Sequence, residues 1–315
     1  MSTDPAAAQT NAATPIDGVA EATRELALGA SVELTPRQVA AADNLAKDLP
    51  LGTRVYVPFV PGADWQDTVG ACERICASGM IAVPHLVARS VANRAELDDR
   101  LRGLAEASVT EIMLVAGDRA RPVGAFRDTL DVLDSGALVE HGMTRIGIAG
   151  YPEGHPAVGP APLDAALAKK REYAAATGTE MWMVSQFAFE PETVIDWLDA
   201  IWRAYDTIPV RVGMAGPARL STLMAFAARC GIGASASALI RRPGVLRLLN
   251  PRLAPDGMLN ALGRHRVASP ESPLSGIHLF TFGGLPQTSR WLRAMAGVGT
   301  AHVVDFHDAK ANGER

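Results

Sequence analysis

A carboxyl group set in an apolar run keeps its proton near neutrality, because burial disfavours the charged form. Glu33 stands in such a run, Ser31-Val32-Glu33-Leu34, and is a candidate proton donor; the alternative is a surface or salt-bridged glutamate. Asp118 follows Gly117, a residue that lets backbone approach a ligand. Its carboxylate suits hydrogen bonding to a ligand or tuning of a cofactor, and equally the capping of a helix. His85 follows Pro84 in an extended stretch, and a lone histidine is more often structural than catalytic. Tyr151 and His155 bracket a Pro- and Gly-rich turn suited to covering a ligand. Lys169 and Lys170 are two of the chain's four lysines; they suit a phosphate as point charges, or a solvated helix face. Cys72, Cys76 and Cys230 are an odd count without a paired framework, which fits a reducing cytoplasm. The spacing of Cys72 and Cys76 reads as two small core residues of a helix. No further ligands stand near them, so no metal is expected.

These residues need a scaffold. The chain has 315 residues, 48% of them hydrophobic, enough for two ordinary domains or one α/β barrel. Thirty basic against 34 acidic residues give a net charge of −4, which disfavours nucleic acid as a partner. No apolar run approaches the roughly 18 residues of a membrane helix. The N-terminus lacks the basic start and apolar core of a secretory signal. Strand-like runs fall at 31–34, 54–57, 80–83, 111–116, 145–149, 181–187, 210–212 and 277–281, each followed by a helical pattern. Thr35 before Pro36 and Asp64 before Trp65 are N-cap signals; the first of these helices is expected to run to about Asp48.

Eight β/α units in one direction predict a (β/α)8 barrel. A doubly wound sheet is the runner-up, weakened because no G-x-G-x-x-G follows the first strand. The expected organisation is a disordered tail over 1–17 and a barrel over 18–304. That barrel carries an extra N-terminal helix and an Arg-rich helical insertion (236–268) before strand eight; a flexible tail follows over 305–315. Barrel sites lie at the strand C-termini. There the sequence puts Glu33, His85, Gly117-Asp118, the Tyr151–Pro156 loop, Gln186, Gly213-Met214 and Thr281-Phe282-Gly283-Gly284.

At these residues the chain resembles the methylenetetrahydrofolate reductase family. Ile148-Ala149-Gly150-Tyr151-Pro152-Glu153-Gly154-His155-Pro156 is similar to the family's A-x-Y-P-E-x-H-P loop after strand five. Gln186-Phe187 resembles its T-Q-F, His85-Leu86 its H-L, Gly117-Asp118 its R-G-D, and Ser31-Val32-Glu33 its S-F-E. The order and spacing fit from about Ala30 to Thr281.

The resemblance implies a (β/α)8 barrel holding FAD at the strand C-termini. It implies interconversion of 5,10-methylenetetrahydrofolate and 5-methyltetrahydrofolate, with NAD(P)H as hydride donor or the reverse oxidation in a demethylation pathway. Glu33 matches the general acid and Asp118 the carboxylate beside the flavin. Gln186, Phe226 and Thr222 match substrate-binding positions. His85, Ala116, Gly117, Asp118, Tyr151, His155 and Lys170 match flavin-binding positions. A reduced folate is then the partner, and a homo-oligomer is expected. The chain departs from the family at Pro58, where a flavin-contacting threonine is lost, and at Ala116, where the R-G-D arginine is lost. Thr281-Phe282-Gly283-Gly284 replaces T-L-N-R, and Thr222 stands for a second substrate glutamine. Two alternatives remain open: a folate-binding barrel without flavin chemistry, acting as carrier or partner subunit, and an unrelated lyase or phosphate-handling barrel with Gly283-Gly284 as the phosphate cradle.

Overall fold

Residues 15–60, 62–205, 208–230, 252–297 and 304–305 are described in the computed structural model. Its strands are β1 (Ser31–Glu33), β2 (Arg54–Val57), β3 (Ile81–Val87), β4 (Ile112–Val115), β5 (Arg145–Gly150), β6 (Glu180–Ser185), β7 (Val210–Ala215), β8 (Ala218–Arg219), β9 (Arg252–Ala254), β10 (Leu274–Phe280) and β11 (Val304–Asp305). β1 to β7 and β10 close into a barrel, with β10 lying between β7 and β1. Every pairing around it is parallel. The expected (β/α)8 architecture is therefore the one observed. No helix among the described residues is long and apolar enough to cross a membrane.

The helices are α1 (Pro15–Leu28), α2 (Pro36–Ala41), α3 (Leu45–Asp48), α4 (Trp65–Ala77), α5 (Arg94–Glu106), α6 (Thr129–Asp134), α7 (Ala137–Glu140), α8 (Pro160–Thr177), α9 (Pro191–Ala204), α10 (Leu220–Arg229), α11 (Asp256–Ala268) and α12 (Leu285–Met295). Local chemistry starts several of them. The Thr35 hydroxyl accepts from the Gln38 N–H and the Gln38 side chain accepts from the Thr35 N–H, a complete capping box. Asp64 accepts from the Gln66 N–H. Pro191 opens α9, whose Val194 and Leu198 are buried.

Several sequence expectations need correction. The helix after β1 breaks at the extended Ala42, and Asn44 caps a new start at α3, so it does not run through to Asp48. β3 extends past Val83 to Val87 and takes in Pro84 and His85. Pro84 is tolerated because pairing with β2 ends at Val57↔Pro84 and pairing with β4 begins at His85↔Met113. β6 ends at Ser185, leaving Gln186 and Phe187 in the following loop, while β7 runs on to Ala215. The 1–17 tail is too long, since α1 begins at Pro15. The 236–268 insertion contains a strand as well as a helix. Arg252–Ala254 pairs antiparallel with Ala218–Arg219 and parallel with Val304–Asp305, so a small second sheet takes in the first residue of the expected C-terminal tail. The rest of the two expected tails, 1–14 and 306–315, and the 236–251 part of the insertion lie outside the described residues.

Two layers of side chains plug the barrel beneath its mouth. The lower layer is charged: Arg54 Nε and Nη2 donate to Glu111 at 2.6 and 2.9 Å, and Arg145 Nε donates to Glu111 at 3.0 Å. Arg145 also bonds Glu180. Above it lie Tyr56, Met113 and Trp182, in one buried cluster with Val83 and Val184. Trp182 Nε1 donates to the Tyr56 hydroxyl at 2.7 Å. His278 packs edge-on against Tyr56, ring centroids 4.5 Å apart. This packed floor leaves the strand C-termini as the place for a site.

Candidate active site

Glu33 ends β1, beside Tyr56 of β2 and Phe280 of β10 in register. Its backbone carbonyl accepts from the Thr281 hydroxyl at 2.7 Å, which ties the strand end to the loop after β10. The carboxyl group lies 3.6 Å from His85 Nε2, with 19% and 18% of the two side chains exposed. Burial pushes the Glu33 pKa up to about 7 and the His85 pKa down to about 4. Near neutrality the Glu33 carboxyl group is therefore divided between its protonated and ionised forms, beside a neutral imidazole. A second imidazole, His278, lies deeper; burial first, then the neighbouring His85 and Arg211, holds its pKa well below the usual histidine range. His278 Nδ1 is 3.0 Å from the Ser31 hydroxyl.

Asp118 leaves β4 through Gly117, whose φ of +90° is left-handed and whose Cβ would lie 2.4 Å from Val87 Cγ1. Only glycine makes this exit without strain. Asp118 is exposed. The loop beyond it is pinned by Arg89, which donates from Nε to the Arg127 carbonyl at 2.6 Å and from Nη1 to the Arg119 carbonyl at 3.0 Å. The Arg89 N–H donates to the Ala116 carbonyl.

After β5, a turn closed by the Gly154 N–H on the Tyr151 carbonyl brings Tyr151 and His155 together, ring centroids 4.7 Å apart. His155 Nδ1 accepts from the Ala157 N–H at 3.0 Å, leaving the other ring nitrogen to carry the proton when the ring is neutral. Burial, then the Asp118 carboxylate, raises the Tyr151 pKa. Gln186 donates from Nε2 to the Cys230 carbonyl at 2.8 Å. The Cys230 thiol is pushed up by burial and then by Asp118 and Glu33.

The structure thus gathers Glu33, His85, Gly117, Asp118, Tyr151, His155 and Gln186 at one rim. Three expected residues behave differently. The face of Phe226 is stacked on Phe282, centroids 4.0 Å and planes 13° apart, so that face is covered by protein. Thr222 lies one helical turn before Phe226 on α10, half-buried. Lys170 is partly buried, and burial lowers its pKa against the opposing pull of Asp128. Asp128 caps the N-terminus of α6 at the end of the loop that follows β4, so the carboxylate that Lys170 feels stands on the strand C-terminal side of the barrel.

Sequence reasoning missed Arg89, Tyr56, His278 and Phe280, and it named Cys230 and Phe282 without the contacts they make here. Most of these contacts join residues distant in the chain. The pairing of Phe282 with Phe226 has no local signal, although the alternation Phe280-Thr281-Phe282 at a strand end marks two rings on one side.

Among the described residues, no group of three or more His, Cys, Asp or Glu is arranged to hold a metal ion. No family model matches the chain. Solved structures with a similar course include dihydropteroate synthase from Thermus thermophilus (13% identity, 85% of this chain and 93% of that one, TM-score 0.44). Oxaloacetate acetylhydrolase (10%, 90% and 89%, 0.47) and a family 18 chitinase from Crocus vernus (11%, 79% and 90%, 0.45) are similar to the same degree. Such likeness assigns neither family nor chemistry to this chain.

Proposed function

We propose that this chain is an oxidoreductase resembling methylenetetrahydrofolate reductase, acting between 5,10-methylenetetrahydrofolate and 5-methyltetrahydrofolate. One observation carries the reading: a carboxylic acid with a pKa of about 7 stands at the barrel mouth, 3.6 Å from a neutral imidazole. An acid so poised suits protonation of a weakly basic nitrogen near neutral pH.

In the reductive direction Glu33 gives its proton to N10 of the folate. The bond from the bridging carbon to N10 breaks, leaving an iminium cation at N5. Hydride then adds to that carbon and gives the 5-methyl group. The neutral His85 ring packs beside the Glu33 carboxyl group and holds it toward the mouth. Asp118, exposed at the rim, favours the cationic intermediate. Gln186 is held by Cys230 with its amide available to orient the pterin edge.

The fit to FAD differs between its two ends. His85, Asp118, Tyr151 and Gln186 bring polar groups to the strand C-termini, and these residues would hold the isoalloxazine. When bound, that ring supplies the hydride it has received from NAD(P)H. The diphosphate end fits poorly: Pro58 has no N–H and Ala116 has no guanidinium. That mismatch favours a second reading, a folate-binding barrel without flavin.

An absorbance spectrum of the purified protein separates the two. A flavin band that bleaches with NADH and returns on adding methylenetetrahydrofolate supports the oxidoreductase. A colourless protein that gains no flavin when supplied with FAD, yet binds methyltetrahydrofolate, supports the carrier.

A further inference from the structure

Three phenylalanine rings form a stack whose last member, Phe280, stands in register with Glu33 on the neighbouring strand. Phe226 and Phe282 lie 4.0 Å apart with planes 13° apart, and Phe282 and Phe280 lie 5.7 Å apart with planes 19° apart. Phe187 packs against the sides of the last two, centroids 5.1 and 5.5 Å away. His278 stands perpendicular to Phe280, 4.9 Å away. The stack is thus fixed from behind and below. Phe280 is paired in register with Glu33 on the neighbouring strand, and its side chain remains partly exposed. Its seat depends on Gly213, where a Cβ would lie 2.9 Å from Phe280 Cε2 and 2.1 Å from the Ser185 carbonyl oxygen.

We infer that Phe280, and not Phe226, is the ring on which the substrate's flat aromatic group stacks, and that Phe282 and Phe226 are positioning residues that hold Phe280 in plane. A fourth ring laid on this stack would bring the atom attached to it beside the Glu33 carboxyl group. For a folate that ring is the p-aminobenzoyl group, which carries N10. The inference deepens the proposed function and rests on it. Stacked aromatic pairs prefer such offset, near-parallel arrangements. Phe226 is the far end of the stack: Phe282 covers one of its faces, the Arg229 guanidinium lies over the ring 5.9 Å from its centroid, and Phe280 is the ring in register with Glu33.

The test is a set of binding titrations on the whole protein with three probes: 5-methyltetrahydrofolate, p-aminobenzoylglutamate and 6-methyltetrahydropterin, the last of which lacks the benzoyl ring. The inference predicts that Phe280→Leu weakens the first two by about tenfold, the upper range for one aromatic pair, and leaves the third unchanged. Phe280→Tyr, which keeps the ring, restores wild-type binding and controls for folding. Phe282→Leu gives a smaller loss in the same pattern. Wild-type affinity for 5-methyltetrahydrofolate in a folded Phe280→Leu protein overturns the inference and leaves the proposed function standing. Equal loss for all three probes also overturns it, as a general disturbance of the mouth. No binding of any folate by the wild-type protein overturns the proposed function itself.

Discussion

At the scale of single residues, one proton decides the chemistry. The folded pKa of Glu33, about 7, lies above its ordinary 4.5. Between those values the folded chain holds a proton that the unfolded chain has released. The stability that this proton brings is full below about pH 4.5 and is lost as pH rises through 7. His85 works in the other direction. Its folded pKa of about 4 lies below 6.5, so its contribution is full above 6.5 and is lost as pH falls through 4. Glu33→Gln removes the first effect alone. Thermal melts of wild type and variant should therefore diverge as pH rises from 4.5 to 8, in favour of the variant. The difference should reach on the order of 3 kcal/mol, from about 1.4 kcal/mol for each unit of displacement. A difference independent of pH would mean that Glu33 titrates as an ordinary exposed carboxylate. Glu33 was legible as a candidate because its apolar neighbours announce burial. Its companion His85 was legible as a residue of the same strand C-termini, but not as the neighbour of Glu33, since the two stand 52 positions apart and close up through two strand crossovers that local patterns do not reveal.

Elements set where these residues stand, and here the sequence carried more. The Thr35-Pro36 and Asp64 starts and the boundaries of β2 all follow from local chemistry and are observed as expected. Breaks inside helical patterns were not legible. After β4, Asp128 caps α6 by accepting two hydrogen bonds, and the buried Phe126 lies before its start. The end of β7 is the most sensitive point for the site. The Gly213 N–H donates to the Ser185 hydroxyl at 2.8 Å, and no Cβ fits between it and the Ser185 carbonyl. Gly213→Ala should cost about 1–3 kcal/mol, the usual penalty of overpacking a filled interior. It should also shift Gln186 and weaken folate binding. Denaturant unfolding combined with a methyltetrahydrofolate titration checks both effects, and an unchanged midpoint would contradict the crowding described.

The whole molecule is a closed barrel with a charged plug at one end and an aromatic and carboxylic mouth at the other. Eight strand signals in one direction made the closure legible. The plug was not, because Arg54 and Glu111 stand 57 positions apart and look like ordinary strand-end charges. Burial raises the Glu111 pKa, but hydrogen bonds and charge from Arg54 and Arg145 outweigh it and hold the group below its usual range. Its contribution is therefore present above about pH 4.5 and is lost as pH falls through the depressed value. Glu111→Gln leaves two guanidinium groups without their shared counter-charge. It should cost about 3–5 kcal/mol, as expected when one partner of a buried ion pair is removed, and should flatten the acid side of the stability profile. Methyltetrahydrofolate affinity measured well below the melting temperature should not change, because the plug lies on the far side of the Tyr56–Trp182 layer. Loss of affinity in a folded variant would show that the floor and the mouth are not separate.

The central claim is that Glu33 delivers a proton to a folate at this mouth. The most direct test follows interconversion of methylenetetrahydrofolate and methyltetrahydrofolate by the purified protein supplied with FAD and NADH, for wild type and Glu33→Gln in parallel. The expected result is turnover by the wild type and a loss of about 100-fold or more in the variant, the usual weight of general acid catalysis, with methyltetrahydrofolate still bound. Equal turnover by the two proteins, or none by the wild type, would contradict it.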